Sequence, residues 1–144
     1  MPKKKAQVWV CFREGAEYFF LLLKTNAERG LFWQPVTGGV EPDESVELAA
    51  LRECREETGL QPKTALRAVA EPFEFTGRYG DFIEYPFLIE VSAQDRQKVK
   101  LDPREHVEFQ WCTAQKAFEQ LKFESNARVL REILKVLSNR SESC

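Results

Sequence analysis

The chain has 144 residues, with 21 Lys+Arg against 23 Asp+Glu, a net charge of −2 and 43% hydrophobic residues. This length supports one domain, residues 1–144, with a real hydrophobic core. The mixed charge excludes a module that grips an extended nucleic-acid backbone. No apolar run reaches the length of a membrane span, and the opening MPKKKAQVWV lacks an apolar leader. We therefore expect a cytoplasmic protein with no membrane partner.

Lys3–Lys5 read as part of a flexible basic tail covering residues 1–5. Ala6–Arg13 and Glu17–Thr25 are apolar, aromatic and β-branched, and Glu14-Gly15-Ala16 joins them as a strand pair. Asn26–Gly30 reads as a loop and Phe32–Thr37 as a short strand. Val46–Thr58 lacks Gly and Pro and is rich in helix formers. Ser45 or Asp43 can cap its start, and Gly59 supplies a left-handed terminus. Leu66–Phe75 and Asp81–Val91 predict strands around the turn Thr76-Gly77-Arg78-Tyr79-Gly80, and Gln94–Pro103 a polar loop. His106–Cys112 predicts a further strand, then Thr113–Leu121 and Ser125–Leu137 two helices. This order of elements fits an α/β sandwich built on a mixed sheet. Cys11, Cys54, Cys112 and Cys144 show no C-x-x-C spacing; the first three have apolar neighbours and read as reduced core thiols.

The most informative stretch is GGVEPDESVELAALRECREETGL, Gly38 to Leu60. At about 100° per residue, Glu53, Glu56 and Glu57 share an arc of roughly 100° on the central helix. Unpaired carboxylates so placed repel one another and weaken the helix. A divalent cation removes that penalty, and oxygen ligands favour a hard ion, Mg²⁺ or Mn²⁺. An acidic solvated face, with Arg52 and Glu56 as an ordinary i,i+4 pair, is the plainer reading. It leaves Gly38-Gly39 and Glu44 unexplained.

The pattern Gly-x5-Glu-x7-Arg-Glu-U-x-Glu-Glu-x-Gly-U, with U apolar, resembles the Nudix box. Cys54 stands where an aliphatic residue is more usual. The resemblance extends in element order over nearly the whole chain and implies a Nudix α/β/α sandwich with a central mixed β-sheet. It also implies a Mg²⁺-dependent hydrolase of phosphoric anhydrides acting on a small-molecule polyphosphate. Glu53, Glu56 and Glu57 would hold metal, with a backbone carbonyl near Gly38. Arg52 would orient a carboxylate, and Glu44 would keep the cluster in register. Nudix enzymes often take a further glutamate from a loop ahead of a late tryptophan. Glu105, followed by Trp111, matches that placement, with Glu108 as the fallback. Glu53, Glu56 and Glu105 all remain candidates for the general base, and His106 is a structural or a catalytic histidine.

The substrate has to be read from weaker marks. Phe32-Trp33-Gln34-Pro35-Val36-Thr37-Gly38-Gly39, Glu105-His106 and Ser125-Asn126 are similar to bacterial dihydroneopterin-triphosphate pyrophosphatases, also described as dATP pyrophosphohydrolases. That resemblance implies cleavage of a nucleoside or pterin triphosphate to monophosphate and pyrophosphate. The alternatives are dinucleoside polyphosphates, RNA 5′ ends or nucleotide sugars, or a non-catalytic nucleotide-binding module. Lys24, Arg29 and Arg78 are candidates for phosphate binding, against the plain reading of surface charge. Trp33 and Tyr79 are candidates to stack on a base, against core burial for Trp33. Thr37 and Ser125 are candidates for polar contact with substrate, against a turn hydroxyl and a helix cap.

Overall fold

A computed structural model describes residues 2–77 and 80–142. Its centre is strand β1 (Lys3–Glu14), which is buried on both faces. Val8, Val10 and Phe12 point to one side, and Trp9 and Cys11 to the other. This explains an apolar run without polar alternation. β2 (Glu17–Thr25) returns antiparallel beside it through a turn at Gly15, whose φ of 64° suits glycine.

Along its length β1 changes partner. Cys11–Glu14 pair with β2, whereas Lys5–Val8 pair with β4 (Val36–Gly39). On its other edge β1 runs parallel to β7 (Gly80–Glu90), from Lys3 to Cys11. The remaining pairings are antiparallel: β3 (Trp33–Gln34) and β8 (His106–Cys112) on β2, β5 (Arg67–Ala68) and β6 (Phe73–Gly77) on β7. The sheet is therefore mixed, as expected.

Helix α1 (Val46–Thr58) covers one face, packing Ala49, Ala50 and Cys54 on the Val8 side of the sheet. Helices α2 (Ala114–Gln120) and α3 (Glu124–Glu142) cover the other, with Ala117, Val129, Leu130, Ile133 and Leu137 against Trp9, Phe20 and Leu22. The result is the expected α/β/α sandwich. Cys11, Cys54 and Cys112 are buried in these cores. Among the described residues no helix is long and apolar enough to cross a membrane.

α1 has the predicted bounds because both caps are local. The Ser45 hydroxyl accepts from the Leu48 N–H at 3.1 Å, and Gly59 at φ 72° donates its N–H to the Arg55 carbonyl at 2.8 Å. Other boundaries differ. Lys3–Lys5 are not a tail but the start of β1, paired with β7 from Lys3 and with β4 from Lys5, and the Lys5 ammonium sits 4.0 Å from the Phe82 ring centroid. Phe32–Thr37 divides at Pro35, and Leu66–Phe75 divides ahead of Phe73, at Pro72. A proline lacks the N–H that a continuing ladder requires. The polar loop before β8 contains a short 3₁₀ helix, Ala93–Lys98, capped by Ser92. In the predicted turn after Phe75, Gly77 pairs with Gly80; Arg78 and Tyr79 lie outside the described residues.

Candidate active site

Arg52 organises the outer half of the acidic cluster. Its Nε and Nη2 donate to the two oxygens of Glu44 at 2.8 and 2.9 Å, and Nη2 also donates to the Gly39 carbonyl at 2.8 Å. Its Nη1 donates to Glu53 at 2.8 Å and to Glu56 at 3.2 Å. A planar guanidinium presents five N–H groups in a fixed fork, which is why arginine suits this position. The Glu41 backbone N–H adds a bond to Glu44 at 3.0 Å. The Arg52 hydrogen bonds, then that N–H, lower the Glu44 carboxyl to about 2. Glu44 thus ties the lead-in loop to the helix.

Glu53 lies directly over Gly38. A Cβ placed on Gly38 would stand 2.0 Å from the Glu53 carboxyl carbon, so only glycine admits this approach. Burial raises the Glu53 carboxyl above its ordinary range, with Arg52 acting in opposition. Glu56 differs: its side chain is 55% exposed and engages Arg52 on the outer surface.

Glu57, one residue further, is buried at 2% exposure. Burial, then the charges of Glu53 and Glu105, push its carboxyl up to about 9, while the Thr37 backbone N–H pulls it down. Glu57, Glu105 and His106 each offer one ligand atom within 4.8 Å of the others. Glu105 comes from the loop ahead of β8, and His106 is the first residue of that strand, paired with Thr25. Oε2 of Glu57 and Nδ1 of His106 are buried and have no hydrogen-bond partner among the described residues. Burial also lowers the His106 imidazole, favouring its neutral, ligand-competent form. Two carboxyls crowded together, with buried orphan donor atoms beside them, fit a divalent cation. His106 adds a nitrogen atom that the box alone does not supply. Its spatial signal was its position next to Glu105.

Beside the cluster opens a cavity of about 400 Å³. Arg29 and Thr37, both singled out in the sequence, line it. Arg29 also bonds Glu105 at 3.3 Å, and the Thr37 hydroxyl donates to the Pro35 carbonyl at 3.1 Å. Other candidates lie elsewhere. Lys24 is paired with Glu108 at 3.3 Å, which also occupies the fallback acid. Trp33 is partly buried, packs against the α3-side core and makes a bridge to Leu121. Ser125 sits half-buried in the first turn of α3, while the next residue, Asn126, reaches the cavity.

Gln34, Lys5, Glu84 and Lys122 also line the cavity, and sequence reasoning did not select them. Gln34 Nε2 stands 3.4 Å from His106 Nε2. The available signal was polarity at sheet positions: Gln7 and Glu84 interrupt otherwise apolar strands.

A carboxylate cluster on a helix thus faces a cationic cavity, an arrangement that fits a hydrolase of phosphoric anhydrides. The NUDIX domain family matches residues 2–133, and the chain belongs to that family. It is a pyrophosphohydrolase. The chain is 34% identical over 116 residues to the dihydroneopterin triphosphate diphosphatase of Haemophilus influenzae, covering 72% of this chain and 71% of that protein. It is 33% identical over 139 residues to an octanoyltransferase of Myxococcus xanthus, covering 93% of this chain but only 36% of that longer protein. Among solved structures, an Ap4A hydrolase of C. elegans in a binary complex superposes with a TM-score of 0.82 at 24% identity, covering 95% of this chain and 98% of that one. At that identity the likeness shows the fold.

Proposed function

We propose that the protein is a Mg²⁺-dependent pyrophosphohydrolase that cleaves a nucleoside or pterin triphosphate to the monophosphate and pyrophosphate. The observation that carries this reading is the junction of the Glu57–Glu105–His106 cluster with a cavity lined by cations and aromatic rings. Anhydride chemistry and a ring-sized binding space then adjoin through Thr37 and Arg29. The likeness to the Haemophilus influenzae diphosphatase supports the triphosphate class.

Glu57, Glu53 and Glu105, with Glu56 at the outer edge and a carbonyl near Gly38, would hold the cation. Bound there, Mg²⁺ (or Mn²⁺) supplies charge neutralisation on the phosphate oxygens and activation of water. Glu105 accepts the proton as water oxygen bonds to phosphorus and the anhydride P–O bond breaks, releasing pyrophosphate. Its position supports that role, since it adjoins Glu57 yet keeps a third of its side chain exposed. Arg52 does not touch the reacting atoms; it fixes the Glu53 carboxyl and, through Glu44 and Gly39, the loop beneath it. Arg29 and the other cavity cations orient the phosphate chain. Action in the cytoplasm on a free small molecule fits this chemistry.

The test is product analysis with Mg²⁺ over dihydroneopterin triphosphate, deoxynucleoside triphosphates, diadenosine tetraphosphate and ADP-ribose, run beside Glu57→Gln. We expect a monophosphate and pyrophosphate from a triphosphate, and a loss of at least about a hundredfold in the folded variant. Preferred conversion of diadenosine tetraphosphate to ATP and AMP would replace this reading with a dinucleoside polyphosphatase. Undiminished turnover in Glu57→Gln would overturn the site itself.

A further inference from the structure

The cavity has a polar floor whose hydrogen-bond polarity is fixed by one indole. Trp9 is fully buried, and its Nε1–H donates to Gln7 Oε1 at 2.8 Å. An indole nitrogen only donates, so the orientation of the Gln7 amide is settled. Gln7 Nε2 must then face the other way, and it donates to Glu84 Oε1 at 2.9 Å and to Asn126 Oδ1 at 3.0 Å. Asn126 spends its carbonyl on that bond, which leaves its Nδ2 amide as the outward group. Glu84 likewise keeps Oε2. Both residues line the cavity at 7% exposure, and the Lys5 charge acts on Glu84 there.

The walls specify the shape of the occupant. Phe123 meets Phe32 and Phe75 edge-to-face, at 5.2 and 5.0 Å between centroids, forming an aromatic side to the cavity. Lys5, Arg29 and Lys122 are cationic, and Glu84 is the one acid among the described lining residues. A flat heterocycle carrying an anionic chain suits this arrangement, with its ring edge on the floor and its phosphates toward Glu105.

We propose that Asn126 and Glu84 read the substrate ring, selecting an edge with one acceptor followed by two N–H donors, the 2-amino-4-oxo edge of a pterin or guanine. The carbonyl oxygen of that edge accepts from Asn126 Nδ2, and the ring N–H and exocyclic amine donate to Glu84. On the corresponding edge adenine reverses the first two groups: its amine meets the Asn126 amide, donor to donor, and its N1 acceptor faces the Glu84 carboxylate. This inference rests on the triphosphate reading for its substrate class, but its core is a binding preference that requires no turnover.

The test uses metal-free full-length protein with neopterin, followed by fluorescence, and with GMP and AMP, followed by calorimetry. Wild type binds neopterin and GMP more tightly than AMP. In Glu84→Gln, Gln7 still donates to the carbonyl of the new amide, so the outward acceptor becomes a donor with almost no change in shape. Binding of neopterin and GMP weakens about tenfold or more, and the preference over AMP shrinks. With the corresponding triphosphates, KM rises more than kcat falls. Asn126→Asp provides an independent check, since it keeps an acceptor for Gln7 while reversing the outward polarity; thermal melts confirm that each variant folds. Wild type that prefers AMP, or two folded variants with the wild-type preference, would overturn the proposal. Ring binding with the stated preference, but no hydrolysis of any triphosphate, would instead remove the hydrolase reading and leave this inference standing.

Discussion

Gly38→Ala separates the function of the carboxylate cluster from its contribution to stability. The new Cβ would stand 2.0 Å from Cδ, 2.3 Å from Oε2 and 2.4 Å from Cγ of Glu53, where ordinary contact begins near 3.4 Å. The Glu53 carboxyl must therefore move by about 1.4 Å, the difference between 3.4 and 2.0 Å. Such a displacement breaks its 2.8 Å bond to Arg52 and withdraws it from the Glu57 side of the cluster. The obstructing atoms are the end of a flexible side chain, and Gly38 has an ordinary backbone conformation in β4. The fold therefore survives, at a cost of about 0.5–1.5 kcal/mol for one partly exposed hydrogen bond. Misplacing a group that holds or orients a metal costs about 10- to 100-fold in affinity or activity. Calorimetric titration with Mn²⁺, steady-state hydrolysis and thermal unfolding of the same preparation read the three quantities separately. Unchanged Mn²⁺ affinity and turnover would refute the role given to this contact. A stability loss above about 4 kcal/mol would show that the backbone, and not Glu53, yields.

Metal-free Glu57→Gln should be more stable than wild type at pH 8 but not near pH 4. The folded carboxyl titrates at about 9 against an ordinary 4.5, so the native state binds more protons between those values and loses stability as pH rises. The gain, read from thermal melts in EDTA, is on the order of 4–5 kcal/mol at pH 8. A variant no more stable than wild type there would contradict the burial of this charge; added Mg²⁺ should stabilise wild type more than the variant. Arg52→Lys should fold but lose about 1–3 kcal/mol, because one ammonium cannot replace a fork that reaches Glu44, Glu53, Glu56 and Gly39 together. Its kcat/KM should fall at least about tenfold, and wild-type kinetics from this variant would show that the fork is dispensable.

The parts of the fold that sequence revealed are those whose causes are local. α1 begins and ends as expected because Ser45 and Gly59 cap it through bonds to residues three and four positions away. β1 and β2 read as strands because Val, Phe, Leu and Trp fill both faces of a doubly covered sheet. The basic start of β1 was not legible, since its cause is pairing with Phe82–Glu84 far along the chain and the seating of Lys5 on the Phe82 ring. β5 is two residues long and owes its existence to the β7 edge. No periodicity can announce so short an element.

The candidate site divides in the same way, and the three box glutamates show where local pattern stops being sufficient. Helical spacing places Glu53, Glu56 and Glu57 in one arc and treats them as equivalent. Tertiary contacts make them unlike: Arg52 and Gly38 fix Glu53, solvent surrounds Glu56, and the Thr37 N–H with Glu105 and His106 encloses Glu57. One residue along a helix is a rotation of about 100°, enough to carry a carboxyl from water to the core. The ring-facing floor lies wholly beyond local pattern, because Gln7 meets Glu84 across 77 residues and Asn126 across 119. What sequence offers there is a polar residue in an apolar strand, which becomes a recognition group only when the sheet order sets β1 beside β7 and packs α3 upon them. The chemistry of the box is thus written locally, and its selectivity is written in the topology.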